Sequence, residues 1–373
     1  MERRNVGILG ATGMVGQRFV QLLHNHPWFN ITWLAASDRS AGKTYGEACR
    51  WKLDTPLPKR IAEMTMQPNV PEGAAGELAI PIPKIIFAAL DAEIARELEP
   101  KFAAAGCAVI SNSSAFRMTR DVPLVVPEVN ADHLELLEEQ SWRRETGGYV
   151  VTNPNCSAIG LVLALKPLEA RFGIESLFVT TMQAVSGAGY PGVPSLDILG
   201  NVVPFIKNEE EKLQEEVGKL LGRYTGAGVE LLDATVSAHC NRVAVEDGHT
   251  ECVSIKFKRP AAREEILAAW EEFAPLKALH LPTAPEVPVE FDGAADRPQP
   301  RLDRMRGSGM AATVGRLRPC PLLDWKFVVL SHNTIRGAAG AAVLNAEVLA
   351  RMGKLDRPKT AASKGAFAAA VGV

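Results

Sequence analysis

Net charge, paired cysteines and long apolar runs are all scarce in this sequence. Its 41 lysines and arginines nearly balance 43 aspartates and glutamates, leaving a formal charge of -2. That balance gives no electrostatic reason to expect a nucleic-acid or anionic-membrane partner. The six cysteines, Cys49, Cys107, Cys156, Cys240, Cys252 and Cys320, are widely spaced and form no CxxC pair. Neither a disulfide framework nor a metal site is expected from them. No apolar run approaches the ~20 residues that span a bilayer, so no membrane partner is expected either. The opening MERRNVGILGATG holds too short an apolar stretch before its glycines to read as a signal peptide. A cytoplasmic protein is the expectation. Its 373 residues, 47% hydrophobic and 23% charged, have ordinary globular composition and are enough for two domains.

Glycine, by contrast, is placed with purpose. NVGILGATGMVGQRFVQLLHNHP reads as a short apolar strand, a glycine turn and a helix in which Val15, Phe19, Leu22 and Leu23 fall at helical spacing. Gly10, Gly13 and Gly16 form a G-x-x-G-x-x-G motif. The first allows a tight turn, the second lets backbone N–H groups approach a pyrophosphate, and the third lets the helix pack close to the strand. A strand before and a helix after make this a dinucleotide site rather than a plain turn. The candidate cofactor contacts are Gly10, Thr12, Gly13, Met14 and Val15. The second strand, ITWLAAS, runs into SDRSAGK. Asp38 could hold ribose hydroxyls, but Ser37, Arg39 and Ser40, with Lys43 nearby, suit a 2′-phosphate better, so NADP is expected. IPKIIFAAL, DAEIARELEPKFAAAG, CAVISNSSAFR, PLVVPEVNADHLELLEE and GGYVVTNPN continue the alternation of strands and helices. This is an α/β pattern, a doubly wound parallel sheet with ligands beyond the strand carboxyl ends. Ser113, Ser114, Arg117 and Asn155 should therefore gather there, with Arg117 a candidate anion binder.

In TNPNCSAIGLVLALKPL, Cys156 lies at the start of an apolar helix, with Asn155 a natural N-cap and Pro167 expected to kink or end the pattern. The helix terminus should lower the thiol pKa below its free value of ~8.5, and its N–H groups could hold an oxyanion. Beside a nicotinamide, such a thiolate could add to an aldehyde and yield a thioester, provided a histidine handles the proton. Of seven histidines, His24 and His26 lie at a helix end, and His133 and His280 in expected surface positions. His239, His249 and His332 remain. His249 follows the turn EDG between two strands, LLDATVSAHCNRVAV and TECVSIKF. Arg242 on the preceding strand could clamp a carboxylate. Glu209 and Lys212 share one face of a charged helix, NEEEKLQEEVGKLLG. Residues 286–318 read as a long Pro-, Arg- and Gly-rich excursion, an interface or lid. The small residues of RGAAGAA permit close packing.

These stretches together resemble the aspartate-β-semialdehyde dehydrogenases, nearly end to end. GATGMVGQRF is similar to the family's cofactor loop, NPNCSAIG to its nucleophile motif, QAVSGAG to its glycine loop, RVAVEDGHTE to its Arg/His segment and NTIRGAAG to its nicotinamide-side segment. SDRSAGK and DGHTE resemble the archaeal and fungal branch. The resemblance implies Cys156 as acylated nucleophile, oriented by Asn155, with His249 as acid/base and Gln183 positioning the substrate. It also implies Arg242 on the substrate carboxylate, Arg117 and Lys212 on phosphate, and Glu209 on the substrate amino group. Ser37, Arg39 and Ser40 match positions around the 2′-phosphate, and Ser186, Gly187 and Asn333 the nicotinamide side, with Ser113 a further cofactor contact. The implied reaction is NADPH-dependent reductive dephosphorylation of β-aspartyl phosphate. The implied fold is a Rossmann-type NADP domain over 1–152, a catalytic and dimerisation domain over 153–345, and a C-terminal helix over 346–373 that packs back on the first. A homodimer or homotetramer follows by the same resemblance. A malonyl-CoA reductase on this scaffold is the alternative activity, and a non-catalytic NADP-binding sensor a more distant one.

Overall fold

The computed structural model describes residues 3–71 and 80–355. In the first half, β1 (Arg4–Leu9), β2 (Phe29–Ala35), β3 (Ile85–Ala88), β4 (Ala108–Ser111) and β5 (Tyr149–Thr152) form a parallel sheet in the order β2-β1-β3-β4-β5. Strands this short and this apolar are buried on both faces, as a parallel sheet requires. The chain leaves β1 toward β2 on one side and returns to β3 on the other. A crevice therefore opens beyond the carboxyl ends of β1 and β3. Helix α1 (Met14–Leu23) starts at that crevice, and α2 (Ala92–Ala104) connects β3 to β4.

In the second half, α3 (Cys156–Phe172) leads into β6 (Ile174–Gln183). There follow α4 (Glu209–Leu220), β7 (Thr235–Arg242), β8 (His249–Phe257), α5 (Arg263–Glu271), β9 (Val289–Asp292), β10 (Ala312–Pro319) and β11 (Trp325–Ser331). The six strands make a mixed sheet in the order β9-β10-β11-β8-β6-β7. Leu161, Leu165 and Leu168 of α3 pack with Leu213 and Val217 of α4 and Trp270 of α5 against Val179, Val253 and Phe327 on one sheet face. The other face stays open, with Phe178, His239 and Cys252 exposed on it. Helix α6 (Gly340–Arg351) returns to the first half, where Val343, Leu344 and Val348 join the core of Ile8, Phe19 and Leu34. It begins before the expected division at 345/346, and residues 356–373 of the expected third segment lie outside the described residues.

Several local expectations are corrected. Pro167 does not end its helix; α3 continues to Phe172 and stops at Gly173, whose φ of 66° leaves the helical region. The missing N–H costs one backbone bond, but the helix is buried nearly all round, and packing holds it. β7 and β8 are not a hairpin: β6 lies between them, antiparallel to β8 and parallel to β7. Segment 123–139 holds only a single bridge, Leu124 to Thr152, and then a short helix and a 3₁₀ run over Ala131–Glu139. His133 is buried rather than on the surface, one ring nitrogen 3.0 Å from Asn130 Nδ2. Residues 286–318 are no free excursion, because β9 and β10 belong to the sheet. Between them, Arg297 and Arg306 are held by Asp303 and Asp292.

Candidate active site

Cys156 is the first residue of α3. Asn155 caps the helix as its type suggests, its side-chain oxygen accepting from the N–H groups of Ser157 at 2.8 Å and Ala158 at 3.3 Å. That cap corrects one expectation, since those two N–H groups are committed and do not hold a thiolate or an oxyanion. The thiol pKa is not lowered. Burial and the nearby Glu209 carboxylate push it up to about 12, outweighing Arg242 and Arg117.

His249 opens β8, and its Nε2 lies 3.1 Å from Cys156 Sγ. Its Nδ1 accepts the N–H of Ala184 at 3.0 Å. A ring nitrogen that accepts carries no proton, so the neutral ring bears its proton on Nε2, facing the sulfur. An imidazolium here would turn Nδ1–H against the Ala184 N–H. Burial, Arg242 and His332 together bring the His249 pKa down to about 3. The pair therefore rests as thiol and neutral imidazole. Of the other candidate histidines, His239 lies exposed against Phe178, and His332 is buried 3.9 Å from Asp247.

The second sheet brings the remaining groups together. Gln183 ends β6 directly opposite Arg242, which ends β7. Arg242 donates to the Ala184 carbonyl at 2.8 Å. Gly187 packs so closely on both partners that an added Cβ would lie 2.8 Å from Arg242 Nη1 and 3.2 Å from His249 Nε2. Glu209, at the start of α4, accepts from Asn155 Nδ2 at 2.8 Å and Gln183 Nε2 at 3.0 Å. It thus ties the helix cap to the glutamine. Gln183 Oε1 is buried without a hydrogen-bond partner among the described residues. Lys212, one turn on, lines a cleft of about 640 Å³ with Arg117, Ser114 and Lys207. Two residues here escaped the sequence reading. Glu216 is buried and accepts from Arg117 Nη1 at 2.9 Å and from the Asn155 N–H at 2.5 Å, joining the cationic cleft to the cap of α3. The available signal was its place seven residues after Glu209, on the apolar face with Leu213 and Val217. Gly337 lies directly against Cys156, so the small-residue stretch packs on that residue itself.

A dinucleotide fits the first sheet's crevice. Gly10 has a φ of 72°, and a Cβ there would meet the Ala89 carbonyl oxygen at 2.2 Å. Gly16 likewise meets the Gly10 oxygen at 2.2 Å, so the helix packs as close as the motif requires. Gly13 precedes α1, and no side chain caps that end, where Thr12, Met14 and Val15 sit. Ser37 and Arg39 are exposed and Ser40 half-buried on a turn just after β2. Ser113 is buried at the loop after β4, bonded to Ser111. Asn333 donates to Ser186 Oγ at 2.8 Å, joining the loop after β11 to the loop after β6.

A thiol against an imidazole in the second half and a dinucleotide cradle in the first fit one class, the nicotinamide-dependent dehydrogenases. Two family models match: the semialdehyde dehydrogenase NAD binding domain over residues 5–137 and the semialdehyde dehydrogenase dimerisation domain over 165–336. The aspartate-semialdehyde dehydrogenase of Archaeoglobus fulgidus is 53% identical, covering 93% of this chain and 98% of its own, and that of Candida albicans is 46% identical over 94% and 98%. The chain belongs to the aspartate-semialdehyde dehydrogenase family. The crystal structure of the C. albicans enzyme with NADP superposes with a TM-score of 0.84 at 44% identity, covering 94% of this chain and 99% of that one. The Vibrio cholerae aspartate semialdehyde dehydrogenase II complexed with ASA gives 0.72 at 28%, over the same shares.

Proposed function

We infer that this chain reduces β-aspartyl phosphate to aspartate semialdehyde and phosphate, with NADPH as hydride donor. The observation that carries the reading is the 3.1 Å contact between Cys156 Sγ and His249 Nε2 beside Arg242. Arg242 is suited to the substrate carboxylate and Glu209 to its amino group. Gln183, with its unpartnered oxygen, orients the acyl group. Sulfur forms a bond to the acyl carbon as the carbon–oxygen bond to phosphate breaks; the thiol proton passes to the departing phosphate, which leaves toward Arg117 and Lys212. Gly10, Thr12, Gly13, Met14 and Val15 would cradle the dinucleotide, with Ser37, Arg39 and Ser40 at the 2′-phosphate, Ser113 as a further contact, and Ser186, Gly187 and Asn333 on the nicotinamide side. When bound, NADPH supplies the hydride that reduces the acyl group. His249 relays a proton from solvent to the sulfur through Nε2 as the carbon–sulfur bond opens and the aldehyde leaves, and so ends neutral, as it began.

The malonyl-CoA alternative gains no support from these relatives, all of which carry the aspartate-semialdehyde name. An assay with purified protein tests the reading. NADP reduction must require both aspartate semialdehyde and phosphate; turnover only with malonyl-CoA and NADPH would overturn it. A homodimer or homotetramer is part of the same reading, supported by the open sheet face and by exposed Tyr190, Leu196, Leu199 and Phe205 in the adjoining loop. Six unpaired cysteines suit a reducing, cytoplasmic setting. No helix among the described residues is long and apolar enough to cross a membrane.

A further inference from the structure

His249 is reached by a second set of contacts that begins in the other half of the molecule. Arg18 lies on α1, one turn past the glycine cradle, and is almost fully buried. Its Nη2 donates to Asp247 Oδ2 at 3.1 Å, its Nε to Thr334 Oγ1 at 3.0 Å and its Nη1 to Gln21 Oε1 at 2.9 Å. Asp247 is two residues before His249. The residue between them, Gly248, has a φ of 104°, and its N–H donates to Asn333 Oδ1 at 2.8 Å. A Cβ on Gly248 would lie 3.1 Å from Pro300 and 3.3 Å from Leu330, so this turn has little room to move. The backbone that delivers His249 to the sulfur is therefore fixed from two directions. Asn333 holds it within the catalytic half, and Arg18 holds it from the nucleotide helix.

We propose that Arg18 is a positioning residue for His249, transmitting the placement of the cofactor helix to the imidazole through Asp247. The charge pairing suits this. A guanidinium is always charged and planar, and its fork engages three separate acceptors at once, which fixes direction as well as distance. Asp247 Oδ1 is buried with no hydrogen-bond partner among the described residues, so the bond to Arg18 is the carboxylate's main restraint, with His332 more distant at 3.9 Å. Loss of the guanidinium frees the turn by a fraction of an ångström, and His249 Nε2 moves relative to Sγ. An arginine that merely held substrate or cofactor would act on KM; one that acts through His249 should act on kcat.

The proposal rests on the activity inferred above, and the same assay separates the two. kcat and KM are measured for the wild type, Arg18→Met, His249→Asn and the double variant at saturating NADP and substrate. Methionine keeps the aliphatic packing of the stem and removes the fork. Arg18→Met should lower kcat about 10-fold or more, leaving each KM within about twofold. In the His249→Asn background the same substitution should change the residual kcat less than about twofold, because a positioning effect has nothing left to position. Asp247→Ala, which cuts the link from the other side, should behave alike and stands in if Arg18→Met fails to fold. Equal losses of kcat in both backgrounds, an effect confined to KM, or a kcat within twofold of wild type would overturn the proposal. An inactive wild type would instead count against the activity itself.

Discussion

A single methyl group added opposite Cys156 should disable this site. Gly337 follows Arg336 at the start of the segment that leads into α6, and its Cα faces the first residue of α3. A Cβ built there lies 2.8 Å from Cys156 Cβ, 3.0 Å from Cys156 Cα and 3.2 Å from the Cys156 carbonyl oxygen, whereas ordinary contact begins at 3.4 Å. All three atoms belong to the backbone or are bonded directly to it, so no rotamer change relieves them. The Cys156 backbone must move by roughly 0.6 Å or more, or the facing segment must. Overpacking of this kind costs about 1–3 kcal/mol. It also opens the 3.1 Å Sγ–Nε2 contact, and displacements approaching an ångström cost up to about 10²-fold in rate. Gly337→Ala should therefore lower kcat by about 10- to 100-fold in the phosphate-dependent assay and lower the thermal midpoint. Gly218→Ala is the matched control: it lies on α4 with nothing within 4 Å of the new Cβ. It should leave kcat unchanged and stabilise by about 0.5–1 kcal/mol. Gly337→Ala with half or more of the wild-type kcat and an unshifted midpoint would refute the packing argument.

Three further outcomes follow from the same geometry. His249→Asn should lower kcat by about 10²–10⁴-fold while NADP binding, read by fluorescence titration, stays intact; an unchanged rate would move the proton role to another group. Arg336 is fully buried and bidentate to Glu128 at 2.7 and 2.8 Å. Arg336→Met leaves a buried carboxylate unpaired and should cost about 3–5 kcal/mol, seen as an earlier urea midpoint that Arg336→Met combined with Glu128→Leu restores. Burial raises the Asp303 pKa, but hydrogen bonds from Arg297, the Gln299 N–H and Arg306 more than offset it and hold the carboxyl at about 2. The folded chain thus binds that proton more weakly than the unfolded one. The resulting stability, roughly 2 kcal/mol, is present above about pH 4 and lost as the pH falls toward 2. Asp303→Asn should flatten the urea midpoint across that window, and an unchanged slope would contradict it.

Much of this architecture was legible in the sequence because local chemistry and global fold agree. The glycine turn, the short apolar strands and the Asn155 cap each require what the fold supplies, and the motif stretches carried the family. What the sequence did not disclose is long-range. Strand β6 lies between β7 and β8 because the residues that pair with both sit about 60 to 80 positions upstream, and no turn signal reports that. Glu216 looks like any glutamate on a charged helix until the helix docks its face on Asn155 and Arg117. The thiol's pKa was misjudged for a related reason. The helix end was read by itself, whereas burial and Glu209 decide the balance.

The central claim is that Cys156 carries the acyl group. Mixing the protein with β-aspartyl phosphate in the absence of NADPH, quenching in acid and mapping peptides by mass spectrometry tests it most directly. The account predicts an aspartyl thioester on the peptide containing Cys156, released by hydroxylamine and discharged on adding NADPH, and no adduct in Cys156→Ser. An adduct on another residue, or full turnover by Cys156→Ser, would contradict it.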